Sequence, residues 1–272
     1  MGQDMKTQDF FSTHPVFTYE EFAEFLSKKD SKNVKTRESI LSYYTKTGRL
    51  LRVRRGLYLT VPYGHTPEKC PVDPYLVASK MAPDSVLAYH TALELYGKAY
   101  SVREDLFYLT GSGARPLNFR GQRYRGVAFP RKLMGKNMES FGVAIVERAG
   151  LDIKVTSLER TLVDALDRPS LCGTWEEIWR SMEMVEFFDL DKVVEYTTHL
   201  GNATTAAKVG FFLEQHKETL MSDEDHLDRL MALKPAKPHY MVHKGREAGR
   251  FMKRWNLVVP EEILERRWEE IL

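Results

Sequence analysis

Residues 36–58, TRESILSYYTKTGRLLRVRRGLY, constrain this chain more than any other stretch. Ile40, Leu41 and Tyr44 recur at helical spacing on one side, Thr36 is a suitable N-cap, and Gly48 offers the left-handed residue that ends a helix. The next residues alternate as two short strands, LLRV and LYLT, joined by Arg54-Arg55-Gly56, where Gly56 is free to take positive φ. A helix running directly into a basic-tipped hairpin predicts a winged helix-turn-helix, with the helix in a major groove and the hairpin on phosphates. Ser39, Ser42, Tyr43 and Lys46 fall opposite the apolar stripe, with Arg37 near its start, so this polar face is the one free to meet base edges. Glu38 suits that face only if it accepts from a cytosine amine or pairs with an arginine. Arg52, Arg54 and Arg55 form the most specific local signal and predict phosphate or minor-groove contact, against a bland reading as a solvated turn.

The charge pattern extends this reading. Residues 28–55 hold 10 Lys/Arg against 2 acidic residues, residues 97–136 hold 9 against 2, and residues 150–230 hold 8 against 17. A net of +2 thus conceals two basic stretches and an acidic one, an asymmetry that fits a nucleic-acid face and a different face for another partner. Arg115, Arg120, Arg123, Arg125, Arg131 and Lys132 form the second basic array. Arg123 and Arg125 alternate with Tyr124 and so share a strand face; extending the DNA footprint, gripping an acidic partner and solvating a sheet all remain open for it.

At 272 residues with 43% hydrophobic content, the chain suits two cores. Pro62, Gly64, Pro67, Pro71 and Pro74 mark a linker, dividing a winged helix-turn-helix at 1–65 from a larger α+β domain at 66–272. Thr18 with Glu21 makes a capping box and Phe17 with Phe22 a hydrophobic staple, opening a helix; a short helix at 6–14 precedes it, and residues 28–35 form the turn into the next. Helices are expected near 75–82 and 86–97, strands at 106–110, 119–129, 143–147 and 153–156, then helices at about 174–186, 189–200, 203–219 and 223–232. A strand near 257–259 and a helix after Pro260 finish the chain. Thr156 with Glu159 reads as a second capping box, starting a helix faced by Leu158, Leu162, Ala165 and Leu166. Strands first and helices after predict an α+β arrangement, not a doubly wound sheet.

Cys70 and Cys172 stand in no CxxC pattern, which argues for a reducing compartment and against a thiolate metal site. No run of about 18 apolar residues is present and the first residues lack a signal-peptide core, so a cytoplasmic protein without a membrane partner is expected. The GSGAR loop at 111–115 lacks the Lys-Ser/Thr of a P-loop and reads as a turn. His239 and His243 are four apart without further ligands, His90 reads as a core histidine, and no GxSxG is found. No catalytic residue, cofactor or metal is therefore expected. In 202–216, Asn202 caps a helix whose Ala206, Val209, Gly210 and Leu213 allow close approach, for internal packing or for a partner.

With these strings in view, FTYEEFAEFL…TRESILSYYTKTGRLLRVRRGLYLTVP, DPYLVASKMAPDSVLAYHTALELYGKAYS, VTSLERTLVDALDRP and NATTAAKVGFFLEQH, the chain resembles the AbiEi-type antitoxins of type IV toxin–antitoxin, or abortive-infection, systems. The resemblance implies a repressor that binds inverted repeats of its own operon on double-stranded DNA and counteracts a nucleotidyltransferase-like toxin encoded beside it. It implies DNA contacts at Thr36, Arg37, Ser39, Tyr43, Lys46, Arg52, Arg54 and Arg55, to which Lys35 is added as a neighbour. Two copies must meet on such repeats, as a weak dimer or as monomers cooperating on DNA. Residues 1–66 are expected to bind DNA weakly alone, and the larger part to keep the antitoxin role. Two other readings stay open: an enzyme that modifies the toxin by kinase-like phosphoryl transfer, with GSGAR and nearby arginines holding nucleotide, and a DNA-binding regulator without a toxin.

Overall fold

Alternation of apolar residues on two sheets organises the fold. The structure is a computed structural model and describes residues 2–27, 33–242, 249–266 and 268. The chain opens with α1 (Gly2–Thr13), longer than the sequence predicts, then β1 (Val16–Thr18), α2 (Tyr19–Ser27), α3 (Val34–Lys46), β2 (Leu50–Arg54) and β3 (Leu57–Thr60). These strands form an antiparallel sheet in the order β1-β3-β2. The Thr18–Glu21 box is formed in both directions, at 2.8 and 3.2 Å. The turn expected at 28–35 falls largely on residues 28–32, outside the described ones.

The faces of this small sheet bury different things. Phe17, Leu50 and Tyr58 look toward α1–α3 and join Phe10, Phe11, Phe22, Leu41 and Tyr44, with Phe11 edge-on to Tyr44 at 5.0 Å. Val16, Val53, Leu57, Leu59 and Val61 look the other way and share a core with Leu76, Val77, Met81, Leu106, Tyr108 and Ile153 from beyond the linker. The period of two along each strand thus gives the N-terminal unit two cores, one its own and one common to the remainder.

That remainder contains α4 (Pro74–Ser79), β4 (Val86–Leu87), α5 (His90–Leu95), β5 (Asp105–Thr110), β6 (Leu117–Phe119), β7 (Gln122–Ala128), α6 (Arg131–Met134), β8 (Val143–Arg148) and β9 (Leu151–Thr156). Helices α7 (Leu158–Asp167), α8 (Trp175–Glu183), α9 (Leu190–Leu200), α10 (Ala203–Gln215) and α11 (Glu224–Met231) follow. Then come β10 (His239–Tyr240), β11 (Gly249–Met252), β12 (Leu257–Pro260) and α12 (Glu261–Leu264). A mixed sheet runs β6-β7-β5-β4-β9-β8, and a small one runs β10-β12-β11. Along β5, Leu106 and Tyr108 face the core shared with the N-terminal sheet, while Phe107 and Leu109 face the helices. The architecture is mixed α+β and rich in helices.

Two expectations need correction. The single helix expected at 86–97 is split: Val86 and Leu87 pair with β5 and β9, and Tyr89 takes φ 58° before α5 begins. Ser157, not Thr156, caps α7 through Arg160 N at 3.3 Å, because Thr156 still belongs to β9 and its hydroxyl meets Thr161 at 2.8 Å. The close approach read from 202–216 is internal: a Cβ on Gly210 would lie 2.1 Å from the buried Trp255 ring.

Candidate nucleic-acid interface

Helix α3 is capped by Asn33, whose Oδ1 accepts from Lys35 N at 3.0 Å, so the cap lies three residues before the expected Thr36. Leu41 and Tyr44 anchor one side in the aromatic cluster. On the opposite side Ser39, Ser42, Tyr43 and Lys46 are exposed, as the helical wheel requires, and Tyr43 is 60% accessible. Lys35 and Glu38 are exposed as well, while Thr36 and Arg37 are half-buried. Arg37 donates to Ser27 Oγ at 2.8 Å, tying α3 to the end of α2.

Gly48 at φ 75° turns the chain into the hairpin. Arg49 donates to Val61 O at 2.6 Å and stacks on Tyr63 at 3.7 Å, holding the base of the hairpin. An irregularity between Arg52 and Arg54 lets Arg54 pair with Leu57, so the turn is Arg55-Gly56 and not the three-residue apex expected. Gly56 has φ 78°, and its carbonyl accepts from Tyr19 N at 2.8 Å, which docks the turn on the start of α2. Nothing in the sequence signalled that last contact.

The three arginines consequently part company. Arg52 and Arg55 are exposed. Arg54 is half-buried, and its guanidinium donates to the Met81 carbonyl just after α4, away from the turn. Beside it, Lys80 pairs with Glu21. Between α3, the start of α2 and the hairpin lies a concave groove of about 990 Å³, into which Arg37, Lys46, Arg52 and Arg55 bring positive charge against Glu20 and Glu38. Ser42 lines this groove with the cations and can donate to a phosphate or base edge beside them, whereas Ser39 and Tyr43, though exposed, do not line it.

The second basic array is not one free surface. Arg123 and Arg125 do share a strand face, but both engage Asp105, Arg123 in two bonds of 2.8 and 2.9 Å and Arg125 at 2.8 Å. The Arg123 hydrogen bonds hold the Asp105 carboxyl below the usual carboxylate range. Arg120 donates to the carbonyls of Pro67 and Glu68, fastening the linker, and Lys132 donates to Gly201 O. Arg115 and Arg131 are exposed.

The remaining motifs take structural roles. At the GSGAR loop, Asp84 accepts from Gly111 N and Thr110 Oγ1, each at 2.6 Å, so a carboxylate stands where an anion would, and β6 rather than a helix follows. His90 is buried, 3.4 Å from both Ser101 Oγ and Glu94 Oε1. His239 meets Thr204 Oγ1 at 2.6 Å, and His243 lies outside the described residues. Among the described residues no group of three or more His, Cys, Asp or Glu could hold a metal ion, and no helix is long and apolar enough to cross a membrane.

Comparison with known proteins adds two findings. Residues 5–61 match a family described as "Transcriptional regulator, AbiEi antitoxin", a segment that contains α3 and the whole hairpin. The fold is similar to the crystal structure of the RV2827C protein from Mycobacterium tuberculosis, with a TM-score of 0.61 and 15% identity over 97% of this chain and 94% of that one. At that identity the likeness speaks for the fold alone. No curated protein matches the chain.

Proposed function

We propose that this chain, an AbiEi-type antitoxin regulator by its segment 5–61, represses its own operon through a winged helix-turn-helix and neutralises a nucleotidyltransferase-like toxin. Helix α2 supports α3, which enters the major groove with Ser39, Ser42, Tyr43 and Lys46 toward base edges; Arg52 and Arg55 straddle the adjoining backbone. One observation carries this: Arg37, Lys46, Arg52 and Arg55 line one groove with Ser42 and Thr45 of α3, while Arg54, chemically identical to its neighbours, is held elsewhere. Arg37 positions α3 through Ser27, and Glu38 accepts from a base amine or pairs with a groove arginine. Two copies occupy the arms of an inverted repeat, whose spacing of about 10 bp or a multiple follows from one face of the duplex.

The protein acts by binding rather than by catalysis. The kinase-like reading is disfavoured because the Gly111 amide of the GSGAR loop already donates to Asp84 and the Ser112 amide to Thr110. Footprinting on the DNA upstream of its own gene tests the regulator. Protection of paired repeats is expected, and an unprotected upstream region opposes repression. Rescue of growth from the neighbouring gene's product, without transfer of label from ATP, tests the antitoxin role.

A further inference from the structure

A second groove opens where the hairpin meets the rest of the chain. Its volume is about 540 Å³. Small-molecule sites typically measure about 300–1,000 Å³ and favour boundaries between units. The N-terminal unit lines this groove with the start of α2 and with Arg54, Arg55 and Gly56. The remainder lines it with Lys80, at the end of α4, and with Asp152 and Lys154 of β9. Glu20, Arg55 and Gly56 belong to this groove and to the α3 groove alike.

Its cations are only partly engaged. Lys80 is paired with Glu21. Arg54 gives one nitrogen to the Met81 carbonyl, a neutral acceptor, and its Nε is buried with no partner among the described residues. An unmet buried donor is unfavourable, so the fold alone gives no reason for it. Arg55 and Lys154 are exposed, and among the described residues no ion pair engages either. Against these three cations stand Glu20 and Asp152, both exposed.

We infer that this groove binds a small phosphorylated molecule, its phosphate between Arg54, Arg55 and Lys154 and its hydroxyl or amino groups donating to Glu20 and Asp152, and that occupancy withdraws Arg55 from DNA. The coupling rests on the regulator reading above; the site itself does not. Arginine suits the phosphate because its fork donates in pairs to the oxygens. A duplex is disfavoured here, because a continuous polyanion would meet both exposed carboxylates, whereas a small ligand carries its negative charge at one end. The Arg55 guanidinium cannot make the same bidentate contact in both grooves at once, so ligand and operator weaken one another through it.

Calorimetry on the purified full chain with inorganic pyrophosphate, ADP and adenosine tests the site. Pyrophosphate and ADP should bind one per chain, and adenosine at least about 30-fold more weakly than ADP. Lys154→Glu, which changes one exposed side chain, should keep the wild-type melt and weaken both phosphate compounds about tenfold or more, and Lys154→Arg should restore binding to within about threefold. In gel shifts on upstream DNA at constant ionic strength, saturating ADP should raise the wild-type Kd about fivefold or more and leave that of Lys154→Glu unchanged. Without ligand the two proteins should bind this DNA within about threefold of one another. No binding of either phosphate compound up to about 10 mM, adenosine binding as tightly as ADP, or a loss below about threefold in Lys154→Glu overturns the site. A DNA affinity lowered by Lys154→Glu without ligand, with a salt slope reduced by about one, assigns Lys154 to the duplex and also overturns it. Ligand binding that leaves DNA affinity untouched overturns the coupling. A wild type that binds no upstream DNA overturns the regulator reading, while the calorimetry still decides the site.

Discussion

Cutting the chain after residue 66 should destroy the unit proposed to bind DNA and not liberate it. Val16, Val53, Leu57, Leu59 and Val61 are between 1% and 8% exposed, and all five pack into the core shared with the remainder of the chain. Fully burying such a side chain contributes roughly 1.5–3 kcal/mol; if the remainder supplies about half the cover, the fragment loses roughly 4–7 kcal/mol. A unit of about that length is stable by only roughly 3–10 kcal/mol in total, at roughly 0.05–0.15 kcal/mol per residue. The cut also removes the Met81 carbonyl that Arg54 donates to and the Lys80 partner of Glu21. Circular dichroism melts of fragment 1–66, beside a gel-shift titration on upstream DNA, measure the outcome. A broad, non-cooperative melt with little or no shifted DNA is expected, in place of the weak binding that the proline-rich linker predicts. A sharp melt together with affinity within about threefold of the full chain would refute the shared-core argument.

Other perturbations follow from single contacts. Arg54→Ala should leave the salt slope of DNA binding unchanged and cost about 1 kcal/mol of stability, because its guanidinium serves the Met81 carbonyl; a slope lowered by about one would return Arg54 to the phosphates. Gly210→Ala gains up to about 1 kcal/mol of helix propensity, but its Cβ would press three atoms of the Trp255 ring, a cost of about 1–3 kcal/mol or more, so urea unfolding should show net destabilisation. Burial works against ionisation of Glu177, yet bonds from Ser101 and Thr174 and the Arg103 charge outweigh it and hold its pKa at about 2, below the ordinary 4.5. A depressed carboxyl stabilises the fold above its unfolded pKa and loses that contribution as pH falls from about 4.5 to about 2. Glu177→Gln should therefore flatten the acid limb of the stability profile over that window, by up to about 3 kcal/mol. An acid limb identical to wild type would contradict that network.

Much of the fold was legible because local signals agreed with the tertiary result. Helices α8 to α11 lie inside the stretches read from periodicity, ending up to a few residues short of them, and both glycines of the 36–58 segment adopt the left-handed conformations assigned to them. The failures have physical causes. VLAYHTALELYG has helical spacing throughout, but pairing of Val86 and Leu87 between β5 and β9 overrides it. β1 is three residues long, too short for a period to register. At the interface, the polar side of α3 followed from its apolar side, since helix geometry relates the two. The separation of Arg54 from Arg52 and Arg55 depends on an irregular register and on α4, which no local pattern encodes. Likewise, Arg123 and Arg125 were correctly assigned to one strand face, but the Asp105 that engages them comes from the neighbouring parallel strand.

Arg52 and Arg55 carry the central claim, since both are exposed at the groove that Arg37, Ser42 and Lys46 of α3 complete. The most direct measurement is the affinity of Arg52→Glu with Arg55→Glu for the upstream DNA, titrated across a salt series. The account predicts a loss of at least about 100-fold at low salt and a slope reduced by about two, with the thermal melt unchanged. Affinity and slope equal to wild type would mean that the hairpin stands outside the interface, and the groove would lose its assignment to DNA.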